Sequence, residues 1–175
     1  MSYSANGPCS VSGSTVSTSG VGTCTVTASQ GGKASWAAAT DVSRSFAILY
    51  ASAGTCAGGP GHAILQPINA DGSSVFKQGS TVPAKFRVCD AAGHSIGTPG
   101  LVTSFKLVQV VGGTVVTTVD KAVLSTTPDS AFRWSATDSQ WIFNMATKSL
   151  TALKTYFYRI TLNDGSHIDF HFGLR

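Results

Sequence analysis

Along Cys24-Thr25-Val26-Thr27-Ala28, apolar side chains take every second position and hydroxyls fill the gaps. That is the two-residue period of a strand with one buried face. Ser12-Gly13-Ser14 parts Val11 from Val16 and reads as a turn, and Arg44-Ser45-Phe46-Ala47-Ile48-Leu49 reads as a closing strand. About four strands fit into residues 1–49, too few to enclose a core easily alone. Gly and Pro dominate residues 53–62, AGTCAGGPGH, which read as a linker or long connection. Strand-like runs then recur between the turn signals Asn69-Ala70-Asp71-Gly72, Gly112-Gly113 and Thr127-Pro128-Asp129. Short strands at this spacing predict a β-sandwich. No amphipathic helix stands out, and residues 149–154, SLTALK, could form at most a turn or so. The expected division is a partial unit over 1–49, a connection over 50–62 and a sandwich over 63–175.

Composition agrees with an all-β chain. Charged residues are 11% of the 175, all eight acids are Asp, and Ser, Thr, Val, Gly and Ala are abundant. The net charge of +4 is spread out, which argues against nucleic-acid or lipid partners that need clustered cations. The four cysteines form no CxxC pair, so disulfides in an oxidising compartment fit better than zinc or redox sites. MSYSANG has neither the basic start nor the apolar run of a signal peptide. The simplest expectation is an excised fragment of a longer secreted protein carrying a start Met. No run approaches about 20 apolar residues, so no membrane span is expected.

The central stretch is Gly79-Ser80-Thr81-Val82-Pro83-Ala84-Lys85-Phe86-Arg87-Val88-Cys89-Asp90. Pro83 cannot donate to a ladder and should mark a strand start, an edge or a bulge. Beyond it, Phe86 and Val88 share one face, Lys85 and Arg87 the other. The segment resembles the signature of the PxKF domain family: Pro83, Ala84, Lys85, Phe86. Phe76-Lys77-Gln78-Gly79-Ser80, the Asp90-Ala91-Ala92-Gly93 turn, Phe132-Arg133-Trp134, Trp141-Ile142-Phe143-Asn144, Thr147-Lys148 and Phe172-Gly173-Leu174-Arg175 fit it as well. The resemblance covers roughly residues 55–175. It departs at Leu153, where such domains tend to carry Gly before a Tyr-containing strand. GPCSVSG (7–13), GTCTVTAS (22–29) and Val42-Ser43-Arg44-Ser45-Phe46 resemble the second half of a bacterial immunoglobulin-like repeat. Together the resemblances imply an immunoglobulin-like β-sandwich with a partial N-terminal immunoglobulin-like segment. They also imply an origin in tandem arrays of secreted or cell-surface bacterial proteins.

Cys9 and Cys24 fall on neighbouring predicted strands, Cys56 in the connection and Cys89 in the PxKF strand. These two local pairs are favoured over the other two connectivities. Each bridge would restrict the unfolded chain by roughly 3–4 kcal/mol.

The C-terminal SHIDFHF (166–172) sets His167, Asp169 and His171 on one side of a strand. A two-residue Asp164-Gly165 loop would put Leu162 opposite His167 and Ile160 opposite Asp169, mixing both faces. A three-residue loop with Gly165 at positive φ pairs Ile160 with Ile168, Tyr158 with Phe170 and Tyr156 with Phe172, and the faces separate. The outer face then pairs Thr161 with His167, Arg159 with Asp169 and Phe157 with His171. A carboxylate facing a guanidinium is a poor start for a metal site, so the solvated face of a sheet is the preferred reading.

Gly93-His94-Ser95-Ile96-Gly97 matches GxSxG, but Thr98-Pro99-Gly100 follows where a nucleophile elbow needs a helix. Asn69-Ala70-Asp71-Gly72-Ser73 lacks the bidentate Glu of a calcium loop and reads as a turn. A Lys–Asn amide crosslink would need a buried acid, for which only Asp is at hand. Trp134 and Trp141 are expected in the core; Trp36 sits in a loop of the first segment.

The expected function is therefore that of a non-catalytic structural or assembly module, secreted or on the cell surface, without metal or cofactor. Its expected partners are neighbouring domains of a longer surface protein and other copies of itself. A half repeat leaves an apolar face and strand edges unpaired. Either it folds back on the PxKF domain, or it takes strands from a neighbouring molecule, as a fibre subunit would. The alternative is a carbohydrate- or ligand-binding module using Trp36 and the loops.

Overall fold

Alternation becomes strand throughout. The computed structural model describes residues 1–50, 55–90, 92–126 and 131–175, and these form sixteen strands and no helix. The break at Thr127-Pro128-Asp129, Ala91 of the Asp90–Gly93 turn and residues 51–54 of the connection lie outside the described residues. The chain divides into two compact units, Met1–Leu49 and Tyr50–Arg175.

The first unit holds β1 (Ser2–Asn6), β2 (Cys9–Ser12), β3 (Thr15–Thr18), β4 (Gly22–Gln30) and β5 (Ala39–Ile48). One sheet has the order β1-β4-β5, and β2 and β3 form a separate hairpin. The alternation of Cys24–Ala28 is kept, but the expected buried face is not: within this unit only Cys24 is buried. Three strands supply one layer, and a layer buries an apolar face only against another layer.

The second unit runs through β6 (Thr55–Cys56), β7 (Gly59–Pro60), β8 (Ala63–Leu65), β9 (Val75–Phe76), β10 (Thr81–Arg87), β11 (Val102–Gly112), β12 (Val115–Ala122), β13 (Arg133–Ser135), β14 (Gln140–Ala146), β15 (Thr155–Leu162) and β16 (His167–Leu174). The stretch expected to be a connection thus contributes the β6–β7 hairpin to this unit. Ala57 and Gly58, both at positive φ, close that hairpin, as a tight two-residue turn demands.

One sheet is ordered β13-β14-β10-β8 and the other β12-β11-β15-β16-β9, with β9 parallel to β16. After β12 the chain crosses between sheets. The Thr126 N–H donates to the Asn144 carbonyl (3.0 Å), and the Ala146 N–H donates to that of Leu124 (2.8 Å). The inward residues of β10 (Val82, Ala84, Phe86) and of β14 (Trp141, Phe143, Met145) face Tyr158, Ile160, Phe170 and Phe172 in one core. Each valine, isoleucine, phenylalanine or methionine among them contributes roughly 1.5–3 kcal/mol by leaving water. The layers form a β-sandwich.

Between β14 and β15 the chain turns back over a buried phenol. Tyr156, 3% exposed, accepts a hydrogen bond from the Thr151 N–H (2.7 Å) and donates one to the Thr151 carbonyl (2.8 Å). Leu153, in the same corner, stands at φ 61° and is 85% exposed. A side chain in the left-handed region costs about 1–2 kcal/mol, and this one returns little by burial. Two substitutions should therefore move stability in opposite directions. Tyr156→Phe should lower it by about 1–3 kcal/mol, because both backbone groups of Thr151 lose their partner. Leu153→Gly should raise it by about 0.5–1 kcal/mol. Urea unfolding midpoints check both.

Candidate functional site: a partly exposed apolar sheet

In the β1-β4-β5 sheet, Tyr3 lies opposite Ala28 and Ala28 opposite Val42; Ala5, Val26 and Arg44 form the next row, then Cys24 with Phe46 and Gly22 with Ile48. Opposed residues of antiparallel strands share a side, so these rows make one face, apolar except for Arg44. The other face is hydroxylated: Thr25 and Ser45 share a hydrogen bond of 2.8 Å, as do Thr27 and Ser43. The pattern is that of a sandwich layer, yet Val42 is 53% exposed and Phe46 44%. The outer edge of β5, ten residues long, has no partner strand among the described residues. Cys9 is bridged to Cys24, tying the β2–β3 hairpin to β4.

The C-terminal hairpin adopts the three-residue loop. Gly165 stands at φ 85°, and Ile160 faces Ile168, Arg159 faces Asp169 and Phe157 faces His171. Arg159 grips Asp169 with Nε (2.8 Å) and an Nη (2.6 Å). Those bonds hold the Asp169 carboxyl below its usual range. His167 Nε2 is 3.7 Å from the same carboxylate. His171 stacks on Phe157 at 4.5 Å, and its imidazole lies where Gly72 would carry a Cβ. Asp71 spends its Oδ1 on the Ser73 N–H and hydroxyl. Among the described residues, no group of three or more His, Cys, Asp or Glu is placed to hold a metal ion.

Ser95 sits on no elbow. The Ile96 N–H bonds the Val88 carbonyl, so residues 94–96 run back along the end of the β10 segment. The Ile96 carbonyl takes the Trp141 Nε1–H (2.8 Å), and Trp134 packs flat on Gly97. Trp141 is buried and Trp134 half-buried, whereas Trp36 is 77% exposed. It ends a tight turn in which Lys33 and Trp36 exchange backbone bonds of 2.9 Å.

The PxKF residues divide by alternation. Phe86 is fully buried against Phe132 (centroids 5.1 Å), while Lys85 points outward between Leu65 and Ile142. Pro83 lies where β10 has β14 on one side and no strand on the other, because β8 pairs only Lys85–Arg87. Cys56 is bridged to Cys89, and both are buried.

Sequence reasoning placed Asp164 in a turn and missed its second duty. Its Oδ1 accepts from the Ser166 N–H and hydroxyl, while Oδ2 takes the Tyr50 N–H (2.7 Å), anchoring the start of the C-terminal unit. No local signal connects residues so far apart in sequence. No family model, curated protein or solved structure matches the chain.

Burial alone would raise the Asp164 carboxyl, but hydrogen bonds from Ser166 and Tyr50 outweigh it and hold it low. Asp169 is low for the reason given above. The unfolded chain, with Asp near about 3.9, takes up protons first as pH falls, so this stabilisation is present above about pH 4 and lost below it. The melting temperature should hold level from pH 7 to about 5 and drop below about 4. Asp164→Asn with Asp169→Asn should flatten that limb.

Proposed function

We propose that this chain is a non-catalytic, immunoglobulin-like assembly module of a secreted or surface-displayed bacterial protein, and that a second copy completes its N-terminal sheet. The strand orders support the immunoglobulin-like reading. With β8, β10, β14 and β13 as strands A, B, E and D, and β12, β11, β15 and β16 as C′, C, F and G, both sheets follow that fold's arrangement. The Tyr156–Thr151 corner stands where the fold's tyrosine corner does, near the start of strand F. Bridges at Cys9–Cys24 and Cys56–Cys89 suit an oxidising compartment. No helix among the described residues is long and apolar enough to cross a membrane.

The assembly reading rests on one observation: the β1-β4-β5 sheet has a sandwich layer's alternation, with Tyr3, Val42 and Phe46 of its apolar face exposed and, among the described residues, the edge of β5 open. A second copy offers the same face, so a two-fold, face-to-face arrangement covers both apolar faces at once. Light scattering after size exclusion without reductant tests this. The expected mass exceeds the 18.0 kDa monomer, grows with concentration, and returns to the monomer in Val42→Ser/Phe46→Ser. A wild-type chain that stays at 18.0 kDa up to high concentration overturns the reading.

The exposure of Trp36 favours a second reading, carbohydrate binding by ring stacking. On insoluble polysaccharides it predicts retention that Trp36→Ala abolishes; wild-type chain retained on none of them refutes it.

A further inference from the structure

Along one margin of the C-terminal sandwich the two sheets do not close. Leu107, Val110, Val119, Leu124 and Leu150 line a groove there of about 410 Å³, within the size range of ligand sites at roughly 300–1,000 Å³. Its walls come from β11, β12, the segment that crosses between sheets, and the corner before β15. Tyr156 and Tyr158, from the sandwich core, also line it.

Among the described residues, the charged side chains that line this groove are Lys121 and Lys154. The carboxylate next in sequence, Asp120, is taken by Lys106 at 2.9 Å. Neither Lys121 nor Lys154 has an ion pair among the described residues, and the Lys154 stem lies along Gly112 at the end of β11. Two free ammonium groups over an aliphatic trough are complementary to a molecule with an anionic head and an alkyl tail. They are too few for a charged membrane surface, which calls for a cluster of cations.

We infer that the groove binds a single-chain alkyl carboxylate, the tail along its aliphatic walls and the carboxylate on a lysine at its rim, Lys121 beside Leu107 or Lys154 beside Gly112. This stands apart from self-assembly through the N-terminal sheet, since no residue is shared.

Titration calorimetry of the full chain with monomeric decanoate, octanoate and decanol tests it. Each buried methylene is worth about fourfold in affinity, so decanoate should bind about tenfold or more tighter than octanoate. Lys121→Gln/Lys154→Gln should weaken decanoate about tenfold and leave decanol unchanged, with the urea midpoint confirming that the variant folds. No heat from decanoate, equal affinity of wild type and variant, or decanol binding as tightly as decanoate overturns the proposal. So does binding to phosphatidylglycerol vesicles without binding to free decanoate.

Discussion

Gly165, at φ 85°, closes β15 onto β16 through three residues, and the rest of the C-terminal unit depends on that register. Side chains alternate with period two, so a slip of one residue would carry Ile160, Tyr158 and Tyr156 to the solvent side and Arg159 into the core. The inward residues of these two strands make one wall of the sandwich, and β10 with β14 makes the other. β11 adds its strand to the β15 edge, and β9 lies along β16. One loop length therefore decides which residues the opposite sheet meets.

Strongly alternating strands were legible from the chain itself. The SHIDFHF register could be worked out because only one loop length separates apolar from polar residues. The inward Phe86 and outward Lys85 followed from the same alternation. Features built from distant partners, or from residues with no alternation, were not legible. The β6–β7 hairpin hid in a Gly- and Pro-rich stretch that has the composition of a linker. β9 spans two residues and exists through its pairing with Gly173 and Leu174. The Tyr50–Asp164 bond joins residues 114 apart. Alternation in the first segment announced an amphipathic sheet correctly, yet periodicity says only which side would be buried. Whether anything covers that side is a matter of neighbours, not of pattern.

The two units stand at opposite ends of the relation between strands and cores. The C-terminal unit has two layers and a continuous apolar interior, so its stability comes from burial, tightened by hydrogen bonds such as that of Tyr156. The N-terminal unit has one amphipathic layer and relies on backbone ladders and the Cys9–Cys24 bridge. A single layer has no second layer against which to bury its apolar face. Its exposed valine and phenylalanine give any apolar partner more to gain than a finished domain surface would.

The Cys56–Cys89 bridge also limits how far the chain can stretch. Pulled from its ends, an oxidised molecule cannot extend the 33-residue span between the two sulfurs, however much of the sandwich comes apart. At about 3.3–3.6 Å per extended residue, roughly 110 Å of contour stays locked away. Under tension, the oxidation state of that one buried bond would decide whether this span is released.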